Sequence, residues 1–485
     1  MTTLYVPIDR SAGIALHRQV YEGLRRAILG GMLRPGQRIP SSRALAIDLG
    51  LSRQPVLVAY DQLFHEGYLD GRHGSGTFVS AALPDDLLRS TGPEESGSRA
   101  SAARRPSPGS PRHPPVENDS SGLGPFRMSL PALDLFPQTV WSRILARHAR
   151  ASTPEQQAYG DPAGLMPLRE AIAEHLRTSR AVKCEPEQVL IVSGSQAALR
   201  LAAAVLLERG DRVAMEEPGY PGAHAALSAG GTEPVPVPVD EEGIGIELLR
   251  RLRGRVCAAY VTPSHQYPLG TTMTAARRFA LLDWADRHGA WLLEDDYDSE
   301  YRYVSRPLGA LQGLDAHDRV IYIGTFSKVL FPAVRVGYLV VPHSLVRRFV
   351  EARRAFDLFS PTLYQLTLAE FLREGHFGRH LRRMRGVYLE RRDALISGLR
   401  EHCANYLAVH NADAGLHIAA LLTGALVDGE VVDQMARRGL AATALSTCYF
   451  GPDPRSGLLL GFGGSSEVHL LEATRVLGDV FRDLA

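Results

Sequence analysis

The chain has 485 residues, 45% of them hydrophobic and 22% charged, too many for one hydrophobic core, so two or more domains are expected. Its formal net charge of +1 gives no global signature for nucleic acid, and it has no apolar run of about 18 uncharged residues to cross a membrane. MTTLYVPIDRSAG has no basic region followed by an apolar run, and Cys184, Cys257, Cys403 and Cys448 lie too far apart for metal-ligand spacing; together these predict a cytoplasmic protein with reduced thiols, no metal site and no membrane partner.

Leu16, Val20, Leu24 and Ile28 recur every four residues and predict a helix. Ser41 or Ser42 can cap a second helix over Ala44–Leu49, with Gly50 ending it, and Ser52 can cap a third whose buried face is Val56, Ala59, Tyr60 and Leu63. Tyr68-Leu69 and Thr77-Phe78-Val79 flank the glycine-rich tip GRHGSG, a hairpin. Helix, helix, turn, helix and wing form a winged helix-turn-helix over 1–80. Residues 1–80 hold nine Arg against six Asp and Glu, a local balance of +3.

This stretch resembles the GntR family of regulators, through RPGQRIPSSRALA, SRQPV and GSGTFV. The resemblance implies that Arg43, Ser52, Arg53 and Gln54 meet duplex DNA near the recognition helix, with His73 on the wing. Arginine and short polar side chains at a helix start suit phosphates and base edges. Two departures stand out: Pro55 where the family usually has threonine, and the aliphatic pair Leu57 and Val58.

Residues 81–125 contain 8 Pro, 5 Gly and 8 Ser in 45 positions and no aromatic residue, the composition of a flexible linker. From 126 to 485, apolar strands alternate with amphipathic helices: 188–192, 212–216, 257–263, 290–296, 320–326 and 336–342. That alternation predicts an α/β domain on a mostly parallel, buried sheet. The arginine run Arg382, Arg383, Arg385, Arg391 and Arg392 reads as a solvated helix face, with a DNA contact as the alternative.

Of the 54 Lys and Arg residues, only Lys183 and Lys328 are lysines. Arginine can replace lysine as a charge but not as an amine nucleophile. Lys183 lies in a polar turn; Lys328, in GTFSKVLFPAVR, follows a buried strand, where ligands of open α/β sheets bind. WLLEDDYDSEY places carboxylates at another strand end, and VSGSQAALRL brings a turn into a helix start suited to phosphate.

These motifs resemble the fold-type I aminotransferases, which implies a mostly parallel seven-stranded sheet and pyridoxal 5'-phosphate (PLP) as cofactor. By that resemblance Lys328 forms the Schiff base, Asp295 pairs with the pyridine nitrogen, and Tyr297 bonds the ring hydroxyl. Ser195, Gln196 and Arg335 hold the phosphate, Tyr220 stacks on the ring, and Tyr159 of the partner subunit reaches the phosphate, implying a homodimer. A winged helix, a long linker and an aminotransferase-like domain, with SHQYPLG and EDDYDSEY, are similar to the MocR subfamily of GntR regulators.

Three positions depart from a working aminotransferase. Leu459 stands where the substrate-carboxylate arginine is expected, Ser129 where a backbone-approach glycine is, and Tyr267 where an asparagine is. They favour a regulator that senses PLP or an amine, with at most vestigial transaminase activity. The alternative is an active PLP-dependent aminotransferase with an appended DNA-binding domain.

Overall fold

The computed structural model describes residues 6–72, 76–81, 83, 123–303 and 309–484. His73 and most of the 81–125 linker lie outside the described residues. The chain divides into two units, one before and one after position 108.

In the first unit, α1 (Leu16–Leu29), α2 (Ser42–Asp48) and α3 (Arg53–His65) enclose a core of Val20, Leu24, Leu45, Val56, Ala59 and Leu63. Ser41 caps α2, its hydroxyl accepting from the Ala44 amide at 3.2 Å, and Gly50 takes a left-handed φ of +62° to leave that helix. Ser52 holds the N-cap position of α3, yet its hydroxyl makes no capping bond. The wing hairpin β2 (Leu69–Arg72) and β3 (Gly76–Val79) is joined by β1 (Arg38–Ile39), giving strand order β1-β3-β2. The periodicity did not reveal β1, because two residues are too short to alternate.

The second unit is built on a sheet of β4 (Val189–Val192), β5 (Arg212–Glu217), β6 (Glu233–Asp240), β7 (Gly243–Ile244), β8 (Val256–Val261), β9 (Trp291–Asp296), β10 (Val320–Thr325) and β11 (Gly337–Val340). Their order is β4-β11-β10-β9-β8-β5-β6-β7, eight strands where the resemblance implies seven, because the two-residue β7 adds an edge. The run β10-β9-β8-β5-β6 is parallel, β11 is antiparallel to both its neighbours, and β7 pairs antiparallel at the edge. Every residue of β4, β10 and β11 is buried, as a sheet covered on both faces requires. β6 reads EPVPVPVD; its prolines cannot donate to a ladder, which disguised it as a non-strand in the sequence.

A smaller antiparallel sheet, β12 (Leu407–His410), β13 (His417–Leu422), β14 (Thr443–Ala444) and β15 (Gly457–Gly461), follows the helix His376–His402, in the order β12-β13-β15-β14. The arginine run on that helix is largely spent inside the protein. Arg385 donates to the Glu300 carbonyl at 2.7 Å, Arg391 is 3% exposed and donates to Gly463, and Arg392 lies over the Tyr303 ring at 5.1 Å. No helix among the described residues is long and apolar enough to cross a membrane.

Candidate functional site

Parallel strands leave their chemistry at their carboxyl ends, and here β4, β9 and β10 do so together. β10 ends at Thr325, and Lys328 follows in the next turn. Its Nζ donates to the Ser129 carbonyl at 3.3 Å. Burial lowers the Lys328 amine to about 8, against the pull of Asp298 and Asp295, so a neutral nucleophilic fraction exists near neutral pH. Ser129 itself is left-handed, φ +65°, a conformation in which glycine would meet no strain.

Asp295 is 4% exposed in β9. Its Oδ2 accepts from the Tyr260 hydroxyl of β8 at 2.8 Å, while Oδ1 is buried without a partner. Burial raises this carboxyl to about 7; Tyr260 and Lys328 oppose the rise and Asp296 adds to it. The neighbouring Asp296 differs. Arg180 reaches its Oδ2 at 2.8 Å and the Tyr322 hydroxyl donates to it at 2.6 Å. Burial works against the Asp296 charge, but Arg180 and the hydrogen bonds hold its carboxyl below the ordinary range. Each carboxylate keeps a buried Oδ1 without a partner, but Asp296 already has its cation in Arg180, whereas Asp295 has no ion pair and can take a cationic partner.

β4 leads through Gly194, φ +105°, into the helix Ser195–Leu206. A Cβ on Gly194 would fall 3.5 Å from the Arg335 guanidinium, so the helix start and Arg335 face each other across a glycine-sized gap. Ser195, free amides at the helix start and Arg335 make an anion cradle. Arg335 is exposed, and it takes φ +49° at the end of a 3-10 turn. Gln196 donates to the Tyr220 hydroxyl at 3.3 Å, and the Tyr220 ring lies 5.3 Å from that of Tyr267. Tyr159 is 86% exposed, with its ring 6.2 Å from that of Phe359.

Leu459 is fully buried in β15, opposite Ala419 and Thr443, in an apolar group with Leu269, Leu445 and Cys448. Met128 and Tyr267 pack against that group. The position at which the resemblance leads one to expect a guanidinium thus holds packed hydrocarbon. Sequence reasoning missed Tyr260, His265 and Asp298. His265 and Asp298 stood inside the strings SHQYPLG and EDDYDSEY, but the strings assign them no contact; Tyr260, in an ordinary apolar strand, left no signal. Among the described residues no cluster of His, Cys, Asp and Glu is arranged to hold a metal ion.

On the winged helix, Arg43, Ser52, Arg53 and Gln54 are all exposed around the start of α3, and Arg53 Nε donates to the Ser42 hydroxyl at 3.2 Å. Val56, Ala59, Tyr60 and Leu63 point into the core, which turns the opposite face of α3 outward.

A buried lysine amine, a carboxylate with an open oxygen and an anion cradle fit PLP, which has a carbonyl, a basic ring nitrogen and a phosphate. With a winged helix ahead of it, this domain defines a PLP-dependent, aminotransferase-like regulator class. The aminotransferase class I and II family model matches residues 133–458, and that of the gntR family of bacterial regulatory proteins matches residues 16–79. The chain is 42% identical over 480 residues to the probable rhizopine catabolism regulatory protein MocR of Rhizobium meliloti, covering 98% of this chain and 95% of that one. It is 37% identical over 467 residues to the pyridoxine biosynthesis transcriptional regulator PdxR of Corynebacterium glutamicum, covering 96% of each. LysN, an α-aminoadipate aminotransferase from Thermus thermophilus solved with N-(5'-phosphopyridoxyl)-L-leucine, is 30% identical with a TM-score of 0.69, covering 74% of this chain and 92% of that one. The chain belongs to the MocR-type GntR transcription regulators.

Proposed function

We propose that this regulator binds operator DNA through residues 1–80, holds PLP within residues 126–485, and works in the cytoplasm as a homodimer that responds to PLP itself or to an amine. The observation that carries the reading is the open Oδ1 of Asp295, which shares one strand-end site with a buried Lys328 amine. When bound, PLP supplies a carbonyl that an amine can exchange onto and a ring that draws electrons away from it. Asp295 would keep the ring nitrogen protonated, Lys328 would anchor the cofactor, and Ser195, Gln196 and Arg335 would hold its phosphate. Tyr220 would cover the ring and Tyr297 would bond its hydroxyl. Tyr159 of the partner subunit would complete the phosphate contact. Because Leu459 leaves an α-carboxylate without a bidentate cation, the reading favours a sensor over a transaminase.

Reduction of the PLP-loaded protein with borohydride should fix the cofactor on Lys328 and leave Lys183, the exposed second lysine, unlabelled in peptide mass spectra. Label on Lys183, or no bound PLP, would overturn the site. For DNA, Arg43→Ala and Arg53→Ala should each weaken operator binding by about 1–3 kcal/mol, and wild-type affinity should fall steeply with salt. Electrophoretic-mobility titrations across salt concentrations decide this, and arginine variants that bind as tightly as the parent would move the interface elsewhere.

A further inference from the structure

Behind Tyr297 lies a polar group that the cofactor reading does not use. His265 follows β8 and Asp298 follows β9, and each side chain is 2% exposed. His265 Nδ1 is 2.9 and 3.1 Å from the two Asp298 oxygens and 3.0 Å from the Tyr297 hydroxyl. The imidazole is tightly enclosed. A Cβ on Gly415, φ +77°, would lie 2.1 Å from its Cε1, and one on Gly270 would lie 3.2 Å from its Nε2. That Nε2 is buried and has no hydrogen-bond partner.

One ring nitrogen cannot donate to one neighbour and accept from the other. The Asp298 carboxylate can only accept, so Nδ1 carries the hydrogen and has no lone pair for the Tyr297 O–H. The Tyr297 oxygen is then a second acceptor of that hydrogen, and its own proton is turned away from the imidazole. The groups around this pair are limited. His417, its ring 5.3 Å from His265, contacts the Pro268 carbonyl through Nε2 at 3.1 Å, and burial lowers it to about 4, so it brings no charge at neutral pH. Asp295, Glu216 and Tyr267 surround Tyr297 from the other elements, and Asp298 acts on Lys328.

We propose that His265 and Asp298 form a positioning dyad that fixes Tyr297 as a hydrogen-bond donor into the PLP site and thereby sets the pH at which bound PLP changes protonation state. The inference rests on the cofactor reading above. A hydrogen bond donated to the ring oxygen stabilises its anion and weakens its hold on the proton shared with the lysine nitrogen, so that proton leaves at lower pH. Losing the donor raises that pH.

The test is the pH titration of visible absorbance on full-length, PLP-loaded protein, with PLP content measured after alkaline release. Asp298→Leu removes the acceptor that holds the ring hydrogen on Nδ1, so the hydrogen can move to Nε2 and the Tyr297 hydroxyl can donate to the bare Nδ1 instead of into the site. Its midpoint should rise by about one unit or more. Tyr297→Phe should rise likewise, and the double variant should go no further than Tyr297→Phe. An unchanged midpoint in Asp298→Leu overturns the dyad. So does a fall, which would mean that Asp298 acts only as a charge on the Lys328 nitrogen. If Asp298→Leu does not fold, His265→Gln replaces it. Its amide can still donate to Asp298 and the Tyr297 oxygen, so its midpoint should stay near the wild-type value, and a shift as large as that of Tyr297→Phe overturns the proposal. Wild-type protein that binds no PLP overturns the cofactor reading and the dyad together, whereas bound PLP with unmoved midpoints overturns the dyad alone.

Discussion

Asp295→Asn should make the cofactor-free protein more stable above about pH 8 and cost it a hundredfold or more in affinity for PLP. The stability half follows from linkage. Burial raises the Asp295 carboxyl from 3.8 to about 7 in the folded protein. Below the lower value both states hold the proton and nothing is lost. Between the two, the unfolded chain releases a proton that the folded chain retains, so stability falls as pH rises, and above the upper value the folded protein carries the whole penalty. At about 1.36 kcal/mol per pKa unit the ceiling is about 4 kcal/mol. Asparagine carries no charge to bury, and its amide oxygen can still accept from Tyr260, which donates at 2.8 Å in the parent. The affinity half follows from the open Oδ1. Removing one partner of a buried charge pair costs about 3–5 kcal/mol, and each 1.4 kcal/mol is about tenfold. Chemical denaturation of cofactor-free protein across pH, beside PLP titration by fluorescence, reads both. A variant that loses stability at every pH, or that binds PLP as tightly as the parent, contradicts the role given to Asp295.

The pairing of these effects explains why a carboxylate sits where it is unfavourable. A carboxyl held buried and half-satisfied, with its charge disfavoured in the empty protein, is preorganised to take its charge opposite a cationic ring. Asp296, one residue along the same strand, shows the ordinary solution, a buried carboxylate with its own arginine. The strand alternation turns the two side chains to opposite faces, so one serves the site and the other serves the fold.

Much of this was legible in the sequence because it depends on local pattern. Lys328 stood out through the scarcity of lysine and its place after a buried strand, and the winged helix through its capping serines, Gly50 and the hairpin glycines. What the sequence withheld depends on distance in space. Tyr260 meets Asp295 only because β8 and β9 are parallel neighbours. His265 meets Asp298 only because loops after two different strands converge. Arg180 lies 116 residues from its partner, and nothing in the local pattern of its helix marks it as buried. The arginine run in the helix His376–His402 failed for the converse reason, since carbonyls and a tyrosine ring that no local pattern could place take up three of its five guanidinium groups.

Arg180→Met should be among the most destabilising single substitutions in the larger unit, costing about 3–5 kcal/mol at neutral pH. Both side chains of the pair are nearly excluded from solvent, 3% exposed for Arg180 and 2% for Asp296, with Nη2 2.8 Å from Oδ2 and Nε 2.9 Å from it. Methionine fills most of the space but leaves the Asp296 charge buried with only hydrogen bonds to hold it. The sign with pH is fixed by the direction of the Asp296 shift. Its carboxyl lies below the ordinary range in the folded protein, so the pair contributes stability above about pH 4 and loses it as pH falls further. The difference between variant and parent should therefore be widest near neutrality and narrow in acid, where a protonated Asp296 needs no cation. Arg180 also donates to the Ser264 hydroxyl at 2.6 Å, tying the end of β9 to the loop that carries His265. The variant should consequently lose PLP affinity as well as stability. Adding Asp296→Asn to Arg180→Met should recover a large part of the loss, because the uncompensated charge and not the missing contact is the main cost. Calorimetry should place the Arg180→Met transition on the order of 5 °C below the parent at neutral pH, with the double variant between them. A double variant no more stable than Arg180→Met would show that the hydrogen bond to Ser264, rather than neutralisation of Asp296, is what Arg180 contributes.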